Sequence, residues 1–192
     1  LGAVDVTDAT FQQDVIERSH ELPVVVDFWA DWCQPCKLLA PVLERAAAER
    51  DGQLQLAKVD VDSNPDVAER YGIRGIPAVK AFRNGHVVAE FVGVQRPTVV
   101  AAFLDELTGP TAIEQQLAEL EATGDLPEIT TPIRAGDHET ALERILEAIT
   151  DLAGDADRRE RLRELAVALF QHLGQEHPLS QRYRRRLATA LY

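Results

Sequence analysis

The stretch Trp29-Ala-Asp-Trp-Cys33-Gln-Pro-Cys36-Lys37 holds both cysteines of the 192-residue chain, two residues apart. It follows Leu22-Pro-Val-Val-Val-Asp-Phe-Trp-Ala30, an apolar run entered through Pro23 that reads as a strand buried on both faces. Residues 37–50 read as a helix, with Pro35 just inside its start, where a missing N–H costs nothing, and Pro41 placed to kink it. Two thiols at this spacing, at a helix start, can close a small disulfide ring and open it again. That is a redox device.

A Cys-x-x-Cys can also be a zinc half-site, a pair of core thiols or a structural disulfide. Zinc needs about four ligands, yet the five histidines (His20, His86, His138, His172, His177) are scattered and no second cysteine pair exists. No metal is therefore expected. A structural disulfide suits a small secreted domain, and nothing at the start of the sequence resembles a signal peptide. Asp27 stands in the middle of the apolar run, where a carboxylate is costly to bury unless it has a task or a partner.

Further along, residues 54–60 read as a strand and 66–71 as a short helix. Residues 75–79 open a strand that turns at Asn84-Gly85, a strong hairpin signal, into a strand at 86–92. Residues 97–107 close the unit as a helix.

The ordered set D-F-W-A-x-W-C-x-P-C-K (27–37), K-V-D-V-D (58–62), G-I-x-G-I-P (72–77), F-x-x-G (82–85) and V-G (92–93) resembles the thioredoxin family over about residues 3–108. The resemblance implies an α/β thioredoxin fold, a mixed sheet flanked by helices, with a Cys33–Cys36 disulfide in the oxidised state. Cys33 would be the exposed nucleophile, its thiolate favoured by the helix N-terminus, and Cys36 the more buried, resolving thiol. Asp27 would accept the proton of Cys36, and Lys58 would tune that acid, burial raising its pKa and the cation lowering it. Pro77 matches the family's cis-proline, its alternative being an ordinary strand-edge proline. Trp32, Ile76, Pro77 and Gly93 would form the substrate-binding rim, although Trp29 and Trp32 also suit a plain core. Gln34-Pro35 stands where thioredoxins most often carry Gly-Pro, which leaves the redox poise open.

Beyond Thr108-Gly109-Pro110-Thr111 the β-branched runs vanish and the pattern becomes helical. The expected division is 1–108, a linker at 109–112, and a helical domain at 113–192. Helices read at 113–123, 126–135 (interrupted by Pro132), 137–151, 158–173 and 179–192. Residues 135–148, with Gly136 ahead of Ala141, Ile145 and Ala148, resemble a tetratricopeptide junction and second helix. A generic amphipathic helix carries the same pattern.

The order of the two parts, and the closing Arg-rich helix ending Leu191-Tyr192, resemble the chaperedoxins. That resemblance implies a co-chaperone holding unfolded or oxidised client proteins and passing them to a chaperonin of the GroEL type. Docking would use Arg184, Arg185, Arg186 and Tyr192, and a thioredoxin reductase would recycle the dithiol.

Charge is uneven. Residues 114–157 carry twelve acids against two arginines, and 158–192 carry eight arginines against three acids. The basic end could meet an acidic partner, or pair with the acidic stretch before it. A net charge of −12 argues against nucleic acid, and no apolar run approaches the roughly 20 residues of a membrane span. No cofactor is expected, and the cytoplasm is the expected compartment. The absence of methionine suits work under oxidants, but biased composition explains it equally. Three functions remain open: a redox-active co-chaperone, a dedicated protein-disulfide reductase whose helices select substrates, and a scaffold with a regulatory dithiol.

Overall fold

Val24, Val26 and Phe28 bury on one side of a central strand, while Val25, Asp27 and Trp29 face the other. That alternation along β2 (Val24–Trp29) sets the layers of the first half of the molecule. The computed structural model describes residues 2–151 and 155–191. It divides into two compact units, Leu1–Gly109 and Pro110–Tyr192.

In the first unit the described residues form one five-stranded mixed sheet in the order β1-β3-β2-β4-β5. β1 (Val4–Asp5) and β3 (Gln55–Asp60) run parallel to each other, and β2 runs parallel to β3. β4 (Ala78–Arg83) and β5 (His86–Val92) form an antiparallel hairpin on the other side of β2. The hairpin turns at Asn84 and Gly85, both at positive φ, and a Cβ on Gly85 would lie 3.1 Å from the His20 ring. α1 (Gln34–Ala48) and α3 (Pro97–Thr108) cover one face, with Leu39, Leu43, Val100 and Leu104 against Val25 and Val79. The other face packs Phe11, Val15 and Val67, the last from α2 (Pro65–Arg70).

Two elements had no expectation in the sequence. β1 is only two residues long, and Gln12–Glu17 is a π-helical turn running into a 3₁₀ turn at Arg18–His20. Two boundaries also move by three residues. α1 begins at Gln34 rather than 37 because Cys33 acts as its N-cap. β4 begins at Ala78 rather than 75 because Pro77 has no N–H for the ladder.

In the second unit the described residues form five helices: α4 (Ala112–Thr123), α5 (Pro127–Arg134), α6 (His138–Asp151), α7 (Ala156–Leu173) and α8 (Pro178–Leu191). Their apolar stripes merge into one core that includes Ile113, Ile129, Leu142, Ile145, Leu162, Leu169 and Tyr183. Thr111 opens α4 with a capping box to Glu114, and Gly124 closes it in the left-handed region. Pro132 sits inside α5 without ending it, and Gly136, at positive φ, makes the turn into α6. No helix among the described residues is long and apolar enough to cross a membrane.

Candidate active site

The loop after β2 brings the cysteines to the start of α1. Cys33 N donates to Ala30 O at 3.1 Å, and Cys33 then caps the helix, its Sγ accepting from Cys36 N at 3.2 Å. The two sulfurs are joined, 2.11 Å apart, so the structure holds the oxidised form. On reduction the same amide faces a free sulfur, and the positive end of the helix favours its thiolate.

The expectation of an exposed Cys33 beside a buried Cys36 needs correction for this state. Cys33 is 3% exposed and Cys36 2%, because the closed ring packs against Ala30, Trp29, Val61 and Ile76. Around this ring lie the residues expected to form the substrate-binding rim.

That rim is built from three places. Trp32, 67% exposed, is held by an Nε1–H donated to Asp62 Oδ2 at 2.8 Å. Pro77 follows Ile76 through a cis peptide bond, and its carbonyl accepts from Gly93 N at 2.8 Å. Gly93 adopts φ 87°, a conformation that favours glycine, and it is flanked by the exposed side chains of Val92 and Val94. The rim thus offers apolar surface around a strip of backbone. Asp62 and Val61 were missed from sequence; their signal was the K-V-D-V-D strand end itself.

On β2, Asp27 is 2% exposed and its Oδ1 has no hydrogen-bond partner among the described residues. Burial pushes its pKa up to about 6, against the pull of Lys58 and with a smaller push from Glu44. Lys58 lies in register with Asp27 on the neighbouring strand. Its Nζ sits 5.2 Å from the centre of the Trp29 ring and 3.5 Å from Glu44 Oε1. A buried acid titrating near 6 can be ionised at neutral pH and still hold a proton well, which is what a general base requires. Among the described residues no group of three or more His, Cys, Asp or Glu could hold a metal ion.

The basic terminal helix is a different matter. Arg186 grips Glu143 of α6, with one guanidinium contact at 2.8 Å, and Arg182 pairs with Glu139 of the same helix. The Tyr183 hydroxyl also donates to Glu143, at 2.5 Å. Arg184 lies over the Phe170 ring at 5.5 Å. Of the three arginines expected to dock a partner, Arg186 is engaged inside the unit, Arg184 rests on an aromatic ring, and Arg185 makes no ion pair among the described residues. Tyr192 lies outside the described residues.

Comparison with known proteins agrees with both units. A thioredoxin family model matches residues 2–106, and a tetratricopeptide repeat model matches residues 111–192. Thioredoxin of Pseudomonas aeruginosa is 47% identical over 102 residues, covering 53% of this chain and 93% of that protein. Thioredoxin C-2 of Corynebacterium nephridii is 50% identical over 103 residues, 54% of this chain and 94% of that protein. Thioredoxin 1 of Synechococcus elongatus is 47% identical over 104 residues, 54% of this chain and 95% of that protein. With the Cys33–Cys36 pair in place, the chain is a thiol–disulfide oxidoreductase. It belongs to the thioredoxin family, with a tetratricopeptide-like helical unit fused behind the dithiol-bearing one.

Proposed function

We propose that this protein is a redox-active co-chaperone that exchanges disulfides with client proteins and also holds them while unfolded or oxidised. The observation carrying this reading is the fusion itself: a dithiol-bearing unit followed by a tetratricopeptide-like helical unit. Repeats of that kind present surfaces to other proteins, and a redox centre in the same chain suits clients whose thiols need protection.

The chemistry follows from the site. Cys33, as thiolate, attacks one sulfur of a client disulfide, and the other client sulfur leaves and takes up a proton. Cys36 passes its proton to Asp27 and attacks Cys33 Sγ. The remaining client sulfur leaves as a thiolate and takes up a proton, and the Cys33–Cys36 disulfide remains. Lys58 tempers the affinity of Asp27 for that proton. Trp32, Ile76, Pro77 and Gly93 bind the client segment, apolar side chains against the rim and main chain along Pro77 and Gly93. A thioredoxin reductase returns the disulfide to the dithiol. The cytoplasm, where thiols are kept reduced, is the compartment that suits this cycle.

Clients would pass to a chaperonin of the GroEL type docked on α8, with Arg184 and Arg185 as the arginines left for contact. A second reading is favoured by the Arg182–Glu139 and Arg186–Glu143 pairs, which use half of the α8 arginines internally. In that reading the helical unit only selects substrates for a dedicated protein-disulfide reductase.

A pull-down from cell extract with the Cys36→Ser variant separates them, because Cys33 then stays joined to what it attacks. Elution by salt and then by reductant should release a chaperonin first and many aggregation-prone proteins second. A few defined enzymes in the reductant fraction, with no chaperone in the salt fraction, would leave only the reductase.

A further inference from the structure

Two charges act on Asp27, those of Lys58 and Glu44. Lys58 is in register with Asp27, and its ammonium makes its ion pair with Glu44 of α1, not with the buried acid. Glu44 is eight residues beyond Cys36, on the same face of α1 through Ala40. One helix thus carries the resolving cysteine at its first turn and, two turns on, a carboxylate that reaches Lys58 of β3, the strand beside the one that carries Asp27. Glu44 is half exposed, so its charge costs little to maintain, while Asp27 is sealed.

We propose that Glu44 is a positioning residue for thiol–disulfide exchange, holding the Lys58 ammonium outward and so leaving Asp27 a stronger base toward Cys36. The inference rests on Asp27 being the proton acceptor. An ammonium free to lean on Asp27 would stabilise the carboxylate and weaken its hold on a proton. Two features make the outward position stable. The Trp29 indole gives the ammonium a π face at 5.2 Å, and Glu44 gives it an oxygen at 3.5 Å. The third neighbour, Val79 of β4, lies in register with Asp27 and brings no charge. On the far side of Lys58, Asp5 of β1 is in register and is a second carboxylate that could draw the ammonium away. The two are separable by substitution.

Glu44 carries no chemistry itself. It touches neither sulfur nor substrate, and its effect passes through Lys58. Removing its charge should therefore act on the proton affinity of Asp27 and on the pH dependence of exchange, not on the fold.

The test is a ¹³C NMR titration of the Asp27 carboxyl in the full oxidised chain, with insulin disulfide reduction followed over the same pH range. Glu44→Gln should move the Asp27 midpoint down by about half a pH unit and carry the acidic limb of the reduction profile with it. Glu44→Asp should restore part of the shift, and Asp5→Asn should produce less than Glu44→Gln. In a Lys58→Met background, Glu44→Gln should lose more than half of its effect. An unmoved midpoint overturns the proposal, as does an equal shift with and without Lys58, which would mean a direct field. Asp27→Asn keeps the failures distinct. If it leaves the reduction profile unchanged, Asp27 is not the proton acceptor and the underlying reading falls. If it removes the acidic limb while Glu44→Gln does nothing, only the role of Glu44 falls.

Discussion

The two units treat charge in opposite ways. The Leu1–Gly109 unit seals Asp27 in β2, the one charged side chain fully buried among the described residues. The Pro110–Tyr192 unit buries no charged side chain among the described residues and pairs several at the surface, Arg134 with Glu121, Arg182 with Glu139, Arg186 with Glu143, around an apolar interior. The first unit carries a buried group whose ionisation costs stability, the proton acceptor of the proposed cycle. The second is organised for packing, and its buried polar residues are neutral, Thr130 and Ser180. A redox centre and an interaction module therefore leave different electrostatic signatures, and substitutions should respond accordingly.

The largest effect belongs to Cys33. Cys33→Ser should reduce catalysed insulin disulfide reduction to background while leaving the unfolding of the helical unit unaltered. Catalysis that survives would break the division between the units. Next comes Ile145, fully buried in the helical core. Ile145→Ala should destabilise that unit by about 2–5 kcal/mol. Both tryptophans lie in the first unit, so their fluorescence in urea should not follow this change, while helical circular dichroism should. Coincident shifts in both signals would join the units into one cooperative body.

Asp27 gives the next effect, and with the opposite sign. Its folded-state pKa is raised from 3.8 to about 6, so between those values the folded chain binds more protons than the unfolded one. Stability then falls as pH rises through that window, and the deficit is complete above it. Asp27→Asn should stabilise the oxidised protein at pH 7 by up to about 3 kcal/mol, with the gain vanishing below pH 3.8. Urea denaturation followed by tryptophan fluorescence at the two pH values measures this. A gain that does not depend on pH would mean that the carboxylate is not the cause.

The smallest effect is at Glu143, whose pKa the hydrogen bonds from Arg186 and Tyr183 hold down near 2. Being lowered, it contributes stability that is present above its ordinary value of 4.5 and lost as pH falls toward 2. Solvent screens this exposed pair, so Glu143→Gln should cost about 1 kcal/mol or less at pH 7, read by helical circular dichroism in urea.

Much of this contrast was legible in the sequence, for identifiable reasons. A carboxylate inside Val-Val-Val-Asp-Phe-Trp advertises itself, because nothing else in such a run is polar. The Asn84-Gly85 turn and the prolines at 35 and 97 are local signals that fix where elements begin and end. What stayed hidden depends on distant partners. Asp8 anchors the start of α2 by accepting from Val67 N at 2.9 Å, and Asn64 Oδ1 accepts from Asp8 N at 2.9 Å, contacts across more than fifty residues. The irregular turns at Gln12–Glu17 and Arg18–His20 have no periodicity to read. Glu44 was visible only as an acid on a helix, until the fold set Lys58 beside it. The internal pairing of Arg182 and Arg186 was one of two readings that charge counting alone could not rank.

The most direct test of the co-chaperone account is light scattering of a chemically denatured client diluted into buffer with the wild-type chain or with a Cys33→Ser, Cys36→Ser double variant. The account predicts that both suppress aggregation near stoichiometric ratios, while only the wild type reduces insulin disulfides. Aggregation unaffected by either protein would contradict it and leave a disulfide reductase with a substrate-selecting tail.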